Sequence, residues 1–507
     1  MKKIFNFFGI IAGILLLASC QKDYLDINGN PNNTLSATPQ AVLPGALNTA
    51  ATLYSRDYNA YGGWTGGYWG KTGTVNGYDA ERTYSYTSNS YQGLWNDTYR
   101  NLVDFQYIDK KATEGSLPYH AAIAKIMKVF MFQQLVDQYG NIPYSKALMG
   151  RENVKPEYDK AEDIYKDFIV QLNAAIASID AGNANTPPVV ATDDIVFKGS
   201  MAKWKQFANT LKLRALLRQS QVPALQAYVT AEFAKLPTAA SAYITADVES
   251  NPGYLKTSGK LNPYWESYNQ SATNVITSNS KYVRSTTFAI NQYVQANNDK
   301  RVSRQYTTVG GAYVGVVLGE KAPLADTKLS NYGPGIFKAY DMPAIFMLAA
   351  ESSFLQAEAK ARGLLAGGNG SAEYVDGIQK SFMYLYKGGS TTTLPSAQAI
   401  TDADAYLAAN VGNPLIDFAA STNKQETIVY QKWLAMNSIT NIEGWNEYRR
   451  TGFPKNLPAS LESNSTRADK LPVRLLYPTS EASSNPENLK AQGDINQFTS
   501  KIFWQTK

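Results

Sequence analysis

Residues 118–138 read PYHAAIAKIMKVFMFQQLVDQ, and this stretch decides the fold class. Ile123, Ile126, Met127, Val129, Phe130 and Leu135 point in nearly every direction around a 3.6-residue turn, which predicts a helix buried on all sides. Such a helix needs other helices around it, and the chain supplies them in both directions. Upstream, Trp95, Tyr99, Leu102 and Phe105 share one face. Downstream, Ile164, Phe168, Leu172, Ala175 and Ile179 continue a helix whose start, Asp159 with Glu162, has the form of a capping box. Trp204, Phe207, Ala208, Leu211 and Ala215 mark another amphipathic helix, and a shorter one is expected over 224–236. Residues 237–340 are rich in Gly, Ser, Asn and Tyr and read as an irregular insert, with a β-like run at Ala312–Leu318. Helices resume over Met342–Arg362, then 371–386, weakly at 402–410, and 424–438. Trp445–Arg450 reads as a last helical turn stopped by Gly452 and Pro454, and the tail beyond is irregular. Helix pairs joined by short turns predict a mainly α fold built on a helical-repeat core, although no clean 34-residue period is present.

The N-terminus addresses the chain to a membrane. Lys2 and Lys3 precede a short apolar run, Ile4–Leu17, as in a secretory signal peptide. The run is too short to span a bilayer, which takes about 20 apolar residues. Leu17-Ala18-Ser19-Cys20 then has the lipobox arrangement, and Cys20 is the only cysteine of the 507 residues. The expected organisation is a signal peptide over 1–19, a lipidated tether over 20–48, and a single domain over 49–507. That domain would have its helical core at about 94–236 and 341–450, around the insert at about 237–340.

Composition narrows the chemistry. The net charge is +6 and only 18% of residues are charged, with Lys and Arg scattered, so no footprint for nucleic acid is present. His120 is the single histidine, which rules out a multi-histidine zinc site and, with Cys20 lipidated, leaves no thiol for catalysis. No cofactor and no metal is expected, since no EF-hand, Walker or dinucleotide spacing occurs. The 42 acidic residues single out no catalytic pair; a glycoside hydrolase stays open as an alternative.

What stands out is a density of rings. Twelve of the 46 positions from 54 to 99 are Tyr or Trp, and Gly62–Gly77 holds seven glycines, a pattern expected to form loops and short strands that present aromatic side chains. Trp64, Tyr68 and Trp69 are the first ligand-binding candidates, because a sugar stacks its C–H face on a flat ring. Asn76, Asp79 and Arg82 are candidate polar rim residues, and Tyr264, Trp265 and Tyr268 in the insert form a second aromatic group.

Several blocks, in order, resemble the SusD/RagB-like outer-membrane lipoproteins of the Bacteroidota, in the branch with the Arg-Arg-Thr-Gly signature. They are Tyr24–Asn28 with Pro31-Asn32, Tyr139–Tyr144, Asp194–Arg218, Ala350–Ala359, Glu443–Gly452, and Pro472–Arg474 with Tyr477-Pro478. The resemblance implies four TPR-like helix pairs (an α-α superhelix) supporting a less regular, ligand-facing region. It implies a non-catalytic protein at the cell surface that captures an oligosaccharide, or a peptide as in the RagB type. Its partner would be a SusC-like TonB-dependent transporter. In the matching blocks, Glu351 and Glu358 are expected to bond arginines or helix ends, and Trp204, Trp445 and Tyr448 to pack, as scaffold; Trp95, which begins an amphipathic stripe, is expected to pack as well.

Overall fold

The computed structural model describes residues 37–389 and 391–506, and those from Pro39 onward form one compact unit. Cys20 and the blocks Tyr24–Asn28 and Pro31-Asn32 lie outside the described residues. The chain enters through α1 (Pro39–Thr52), winds without a break into a π-helical turn (Leu53–Tyr58), and returns to α geometry in α2 (Asn59–Thr65). Residues 39–48 are therefore helical and packed, where the sequence suggested an irregular tether; Leu43, Ala46 and Leu47 bury one stripe of α1 against α3 (Gln92–Glu114).

The core is a stack of helix pairs. α3 packs on α4 (Pro118–Tyr139), α4 on α5 (Ala161–Asp180), and α5 on α6 (Met201–Gln219). The second half repeats the pattern with α7 (Ala349–Ala361) on α8 (Ser371–Tyr386), α8 on α9 (Ser396–Ala409), and α10 (Lys424–Met436) on both α7 and α11 (Asn441–Thr451). α4 is buried on nearly every side, as its all-round apolar pattern requires. Pro118 opens it, where a missing N–H costs nothing. Among the described residues, three antiparallel pairs of short strands accompany the helices: β1 (Trp69–Lys71) with β5 (Val283–Ser285), β2 (Ile142–Pro143) with β3 (Tyr158–Asp159), and β4 (Val248–Ser250) with β6 (Ala344–Met347). Among the described residues no helix is long and apolar enough to cross a membrane.

Several local expectations are corrected. The capping box at α5 does not form: Asp159 accepts from the backbone N–H groups of Tyr144 (3.0 Å) and Ser145 (2.8 Å), and the Ala161 N–H goes to Asn141 Oδ1. The helix expected from Met342 begins at Ala349, because Ala344–Met347 is a fully buried strand that finds a partner in β4. Ala312–Leu318 makes only isolated bridges, through Val316 and Ala312. The last turn at Trp445–Arg450 is a three-turn helix, ended by Gly452 at φ 78°. The irregular tail is not loose, since Leu471, Val473, Leu475 and Trp504 are buried.

The largest correction concerns the glycines. Gly62 and Gly63 lie inside α2 rather than in a loop. A Cβ on Gly62 would stand 2.2 Å from the backbone nitrogen of Ile442, and one on Gly63 would stand 2.4 Å from the Trp69 ring. Gly62 serves close approach between α2 and α11, and Gly63 makes room for the Trp69 ring; neither serves chain reversal.

Candidate ligand-binding face

The two aromatic groups singled out in the sequence converge in space. Trp69 meets Tyr268 at 5.1 Å between ring centroids, and Tyr268 meets Tyr264 at 5.5 Å. Trp64 lies 4.9 Å from Tyr78, whose ring faces Tyr282 at 6.5 Å. Their burial separates them into two layers. Trp64, Tyr68, Trp69 and Tyr264 are buried, whereas Tyr78, Trp265 and Tyr268 are half-buried.

The lower layer is fastened to the core. Tyr68 stacks on Trp433 at 4.4 Å and donates its hydroxyl to the Trp433 carbonyl, while Trp433 Nε1 donates to the Gly66 carbonyl. Trp69 Nε1 donates to Ser438 Oγ at 3.3 Å. The expectation that glycines display Trp64, Tyr68 and Trp69 together on the surface is therefore corrected: Trp64 on α2, Tyr68 just after it and Trp69 on β1 all lie in the interior.

The upper layer carries polar groups that the sequence did not single out. The π-helical turn sets Arg56 beside Asp57, with Nε to Oδ1 at 2.7 Å and the second guanidinium nitrogen to Oδ2 at 2.8 Å. On an α-helix adjacent side chains diverge; here they close into a two-pronged pair, and π-helical turns recur at functional sites. Both side chains remain about one-third exposed, at 37% and 33%. The hydrogen bonds that Arg56 donates to Asp57 raise the Arg56 pKa above its ordinary value. The short helix Pro263–Tyr268 packs against the π-helical turn that carries Arg56 and Asp57, which sets Tyr268 on the same side as that pair. Glu81 accepts the Tyr91 hydroxyl at 2.8 Å, and burial raises its pKa. The Tyr78 hydroxyl donates to Asn279 Oδ1 at 2.8 Å, and burial raises its pKa to about 12.

The remaining sequence candidates stand at the margin. Asn76 is exposed; Arg82 bridges Asp79 at 2.9 Å and Glu462 at 2.6 Å. Trp265 packs edge-on to Phe337 at 6.2 Å. Arg56 and Asp57 were missed because nothing in a sequence marks a π-helical turn, and Glu81 and Asn279 because the five-residue helices that carry them, Asp79–Thr83 and Ser278–Tyr282, are too short to show a period. Chemically, the patch offers half-covered rings beside hydrogen-bonding groups already held in place by one another. Among the described residues no group of three or more His, Cys, Asp or Glu could hold a metal ion. His120 is buried against Asp193 (3.6 Å), far in sequence from this patch, and burial lowers its pKa.

The scaffold blocks behave as the resemblance implied. Glu351 bonds Arg214 at 3.0 and 3.1 Å, Glu358 bonds Arg450 at 2.7 and 2.5 Å, and Trp445 stacks on Tyr448 at 5.8 Å in the interior.

Comparison with known proteins agrees with this architecture. A SusD-like family model, described as starch-binding and associating with the outer membrane, matches residues 31–478. A solved chitin-binding protein is 25% identical, with a TM-score of 0.71 over 91% of this chain and 99% of its own. A SusD/RagB family protein from Bacteroides thetaiotaomicron is 21% identical, with a TM-score of 0.73 over 93% of this chain and 100% of its own. A SusD homologue from Bacteroides uniformis is 24% identical, with a TM-score of 0.71 over 92% and 99%. No curated protein matches. With one family model spanning most of the chain, the protein belongs to the SusD-like family.

Proposed function

We propose that this protein is a lipoprotein anchored through Cys20 that captures an oligosaccharide and passes it to a SusC-like TonB-dependent transporter in the outer membrane. The observation that carries this reading is the patch of half-buried Tyr78, Trp265 and Tyr268 beside the Arg56–Asp57 pair, on a chain of a family described as starch-binding. The half-buried rings supply apolar faces, and Arg56, Asp57, Glu81, Asn76, Asp79 and Arg82 supply hydrogen-bonding groups for sugar hydroxyls. Trp64, Tyr68, Trp69 and Tyr264 support these rings from beneath. The reading is of binding without turnover.

Titrating the protein with malto- and chito-oligosaccharides tests the reading, with Tyr268→Ala as the comparison. Saturable binding of one series without release of new reducing ends, weakened at least tenfold by Tyr268→Ala, is the expected result. New reducing ends would point instead to a hydrolase. Equal binding by the variant would move the site elsewhere. Trp64→Ala and Trp69→Ala are poor tests, because emptying a buried Trp site costs about 3–5 kcal/mol of stability and confuses binding with folding. Cys20→Ala should release the protein from membranes, and a barrel transporter should co-purify with the unaltered chain.

A further inference from the structure

A cavity of about 420 Å³ opens where the end of α4 and the start of α5 meet the C-terminal tail, and it shares no residue with the aromatic patch. Its volume is that of a small-molecule site. Asn141 ties its walls together. The side-chain oxygen of Asn141 accepts the Ala161 N–H at 2.9 Å, its amide donates to Gln492 Oε1 at 3.1 Å, and its carbonyl accepts the Tyr477 hydroxyl at 2.7 Å.

The charge lining this cavity is one-sided. Arg474, Lys160 and Lys501 stand against a single carboxylate, Glu162, which Lys166 already holds at 2.7 Å. Arg474 is only 4% exposed. Its Nε donates to the Leu475 carbonyl at 3.1 Å, one terminal nitrogen donates to the Tyr139 carbonyl, and the guanidinium lies 4.9 Å from the centre of the Tyr477 ring. All these partners are neutral, and among the described residues no carboxylate stands at ion-pair distance from Arg474. Glu481, which acts on the same Tyr477, takes the Tyr158 hydroxyl at 2.6 Å instead. A buried cation without a counter-anion is costly, and an anion entering the cavity would offset that cost. The second terminal nitrogen, Nη1, lies beside Gly140, where a Cβ would stand 3.1 Å away; the bare glycine keeps the approach open. Lys160 and Lys501 are exposed, and Lys501 reaches only the Thr506 carbonyl at 3.4 Å. Lys160 also leaves the positive end of α5 without a side-chain cap. Ile495, Ile502 and Phe503 make the rest of the wall apolar.

We propose that this cavity is a second binding site, for a small organic phosphate whose head is gripped by Arg474 with Lys160 and Lys501. Its apolar body rests on Ile495, Ile502 and Phe503. A phosphate monoester brings nearly two negative charges and three acceptor oxygens, which suits a planar guanidinium flanked by ammonium groups. A neutral sugar would leave Arg474 without its counter-charge. The site is independent of the aromatic patch, and either can fail without the other.

The test titrates phenyl phosphate into the full-length protein by calorimetry, beside phenol and inorganic phosphate. Phenyl phosphate should bind, and each of the other two, lacking the head or the body, should bind at least tenfold more weakly. Arg474→Gln should abolish binding. Joint replacement Lys160→Gln and Lys501→Gln, on exposed side chains that leave folding intact, should weaken it about tenfold and decides the matter if Arg474→Gln does not fold. No binding of phenyl phosphate at millimolar concentration, equal binding of phenol, or an affinity unmoved by the double lysine substitution would each overturn the proposal.

Discussion

Arginine–carboxylate pairs occur in two settings in this molecule, and the contrast shows what burial does to one chemistry. Between α4, α6, α7, α10 and α11, Arg214, Arg218, Lys432 and Arg450 interlock with Asp137, Glu351, Glu358, Glu443 and Glu447, with every side chain at most 2% exposed. At the π-helical turn, Arg56 and Asp57 make the same two-pronged pair at one-third exposure. The buried set has lost its water and can only be satisfied by itself, so it fixes how helices far apart in sequence meet. The exposed pair keeps solvent on one side, and that side is open to a ligand. The same residue types are scaffold in one place and a candidate site in the other.

The comparison breaks most visibly at Arg450. Replacing it with Ala leaves Glu358 with Arg362 and Glu447 with Lys432, each short of one buried cation, and removing one partner of a buried pair costs up to about 3–5 kcal/mol. Chemical denaturation should show a loss of that size; a loss under 1 kcal/mol would mean that water reaches the network.

The junction of α2 and α11 gives the next effect. Ala is about 1 kcal/mol better than Gly inside a helix, so Gly62→Ala would stabilise an isolated α2. Here the added methyl would stand 2.2 Å from the Ile442 backbone, which cannot move as a side chain can. Overpacking of this kind costs about 1–3 kcal/mol, so the net effect should be destabilising. A rise in the melting temperature would refute the close contact.

Acid sharpens the same network. Burial alone would raise the Glu447 pKa, but Arg450 and Lys432 overcome it and hold the carboxyl well below the usual range; Glu443 and Glu358 are also lowered. Carboxyls with depressed folded pKa values stabilise fully above about pH 4.3, their unfolded value, and lose that contribution as pH falls through the folded values. Asp137 runs the other way, since burial raises its pKa. The melting temperature should hold above about pH 5 and drop toward pH 3, with a shallower drop in Glu447→Gln. A flat profile over that interval would contradict the assignment.

How much of this was legible in the sequence depended on periodicity. The helices of the core announce themselves because 3.6-residue spacing survives burial, and α4, α8 and α10 begin where the pattern says. Ala344–Met347 was absorbed into a helix because four apolar residues in a row carry no period, and its strand partner lies about 95 residues away. Gly62 and Gly63 misled for a related reason: glycine permits a turn, but it equally permits two helices to touch, and only the neighbour decides which. Of the rings singled out in the sequence, Trp64, Tyr68, Trp69 and Tyr264 are buried, while Trp265 and Tyr268 stayed partly open, as did Tyr78, which was not singled out. Arg56 and Asp57, adjacent in sequence, gave no sign of acting as a pair.

That pair yields the smallest effect on folding and the most informative one on function. Arg56→Ala removes a partly exposed ion pair, which solvent screening holds to at most about 1 kcal/mol of stability. If the π-helical turn exists only to continue α1 into α2, the substitution should leave glycan affinity unchanged as well. If the turn serves to aim a fixed guanidinium and carboxylate beside Tyr268, affinity should fall about tenfold or more while unfolding curves barely move. Arg56→Lys separates charge from shape, since an ammonium keeps the positive charge but lacks the planar fork that grips Asp57. Affinity restored by Lys would make charge sufficient. Affinity still lost would assign the recognition to the fork itself, and so to the geometry that the π-helical turn imposes.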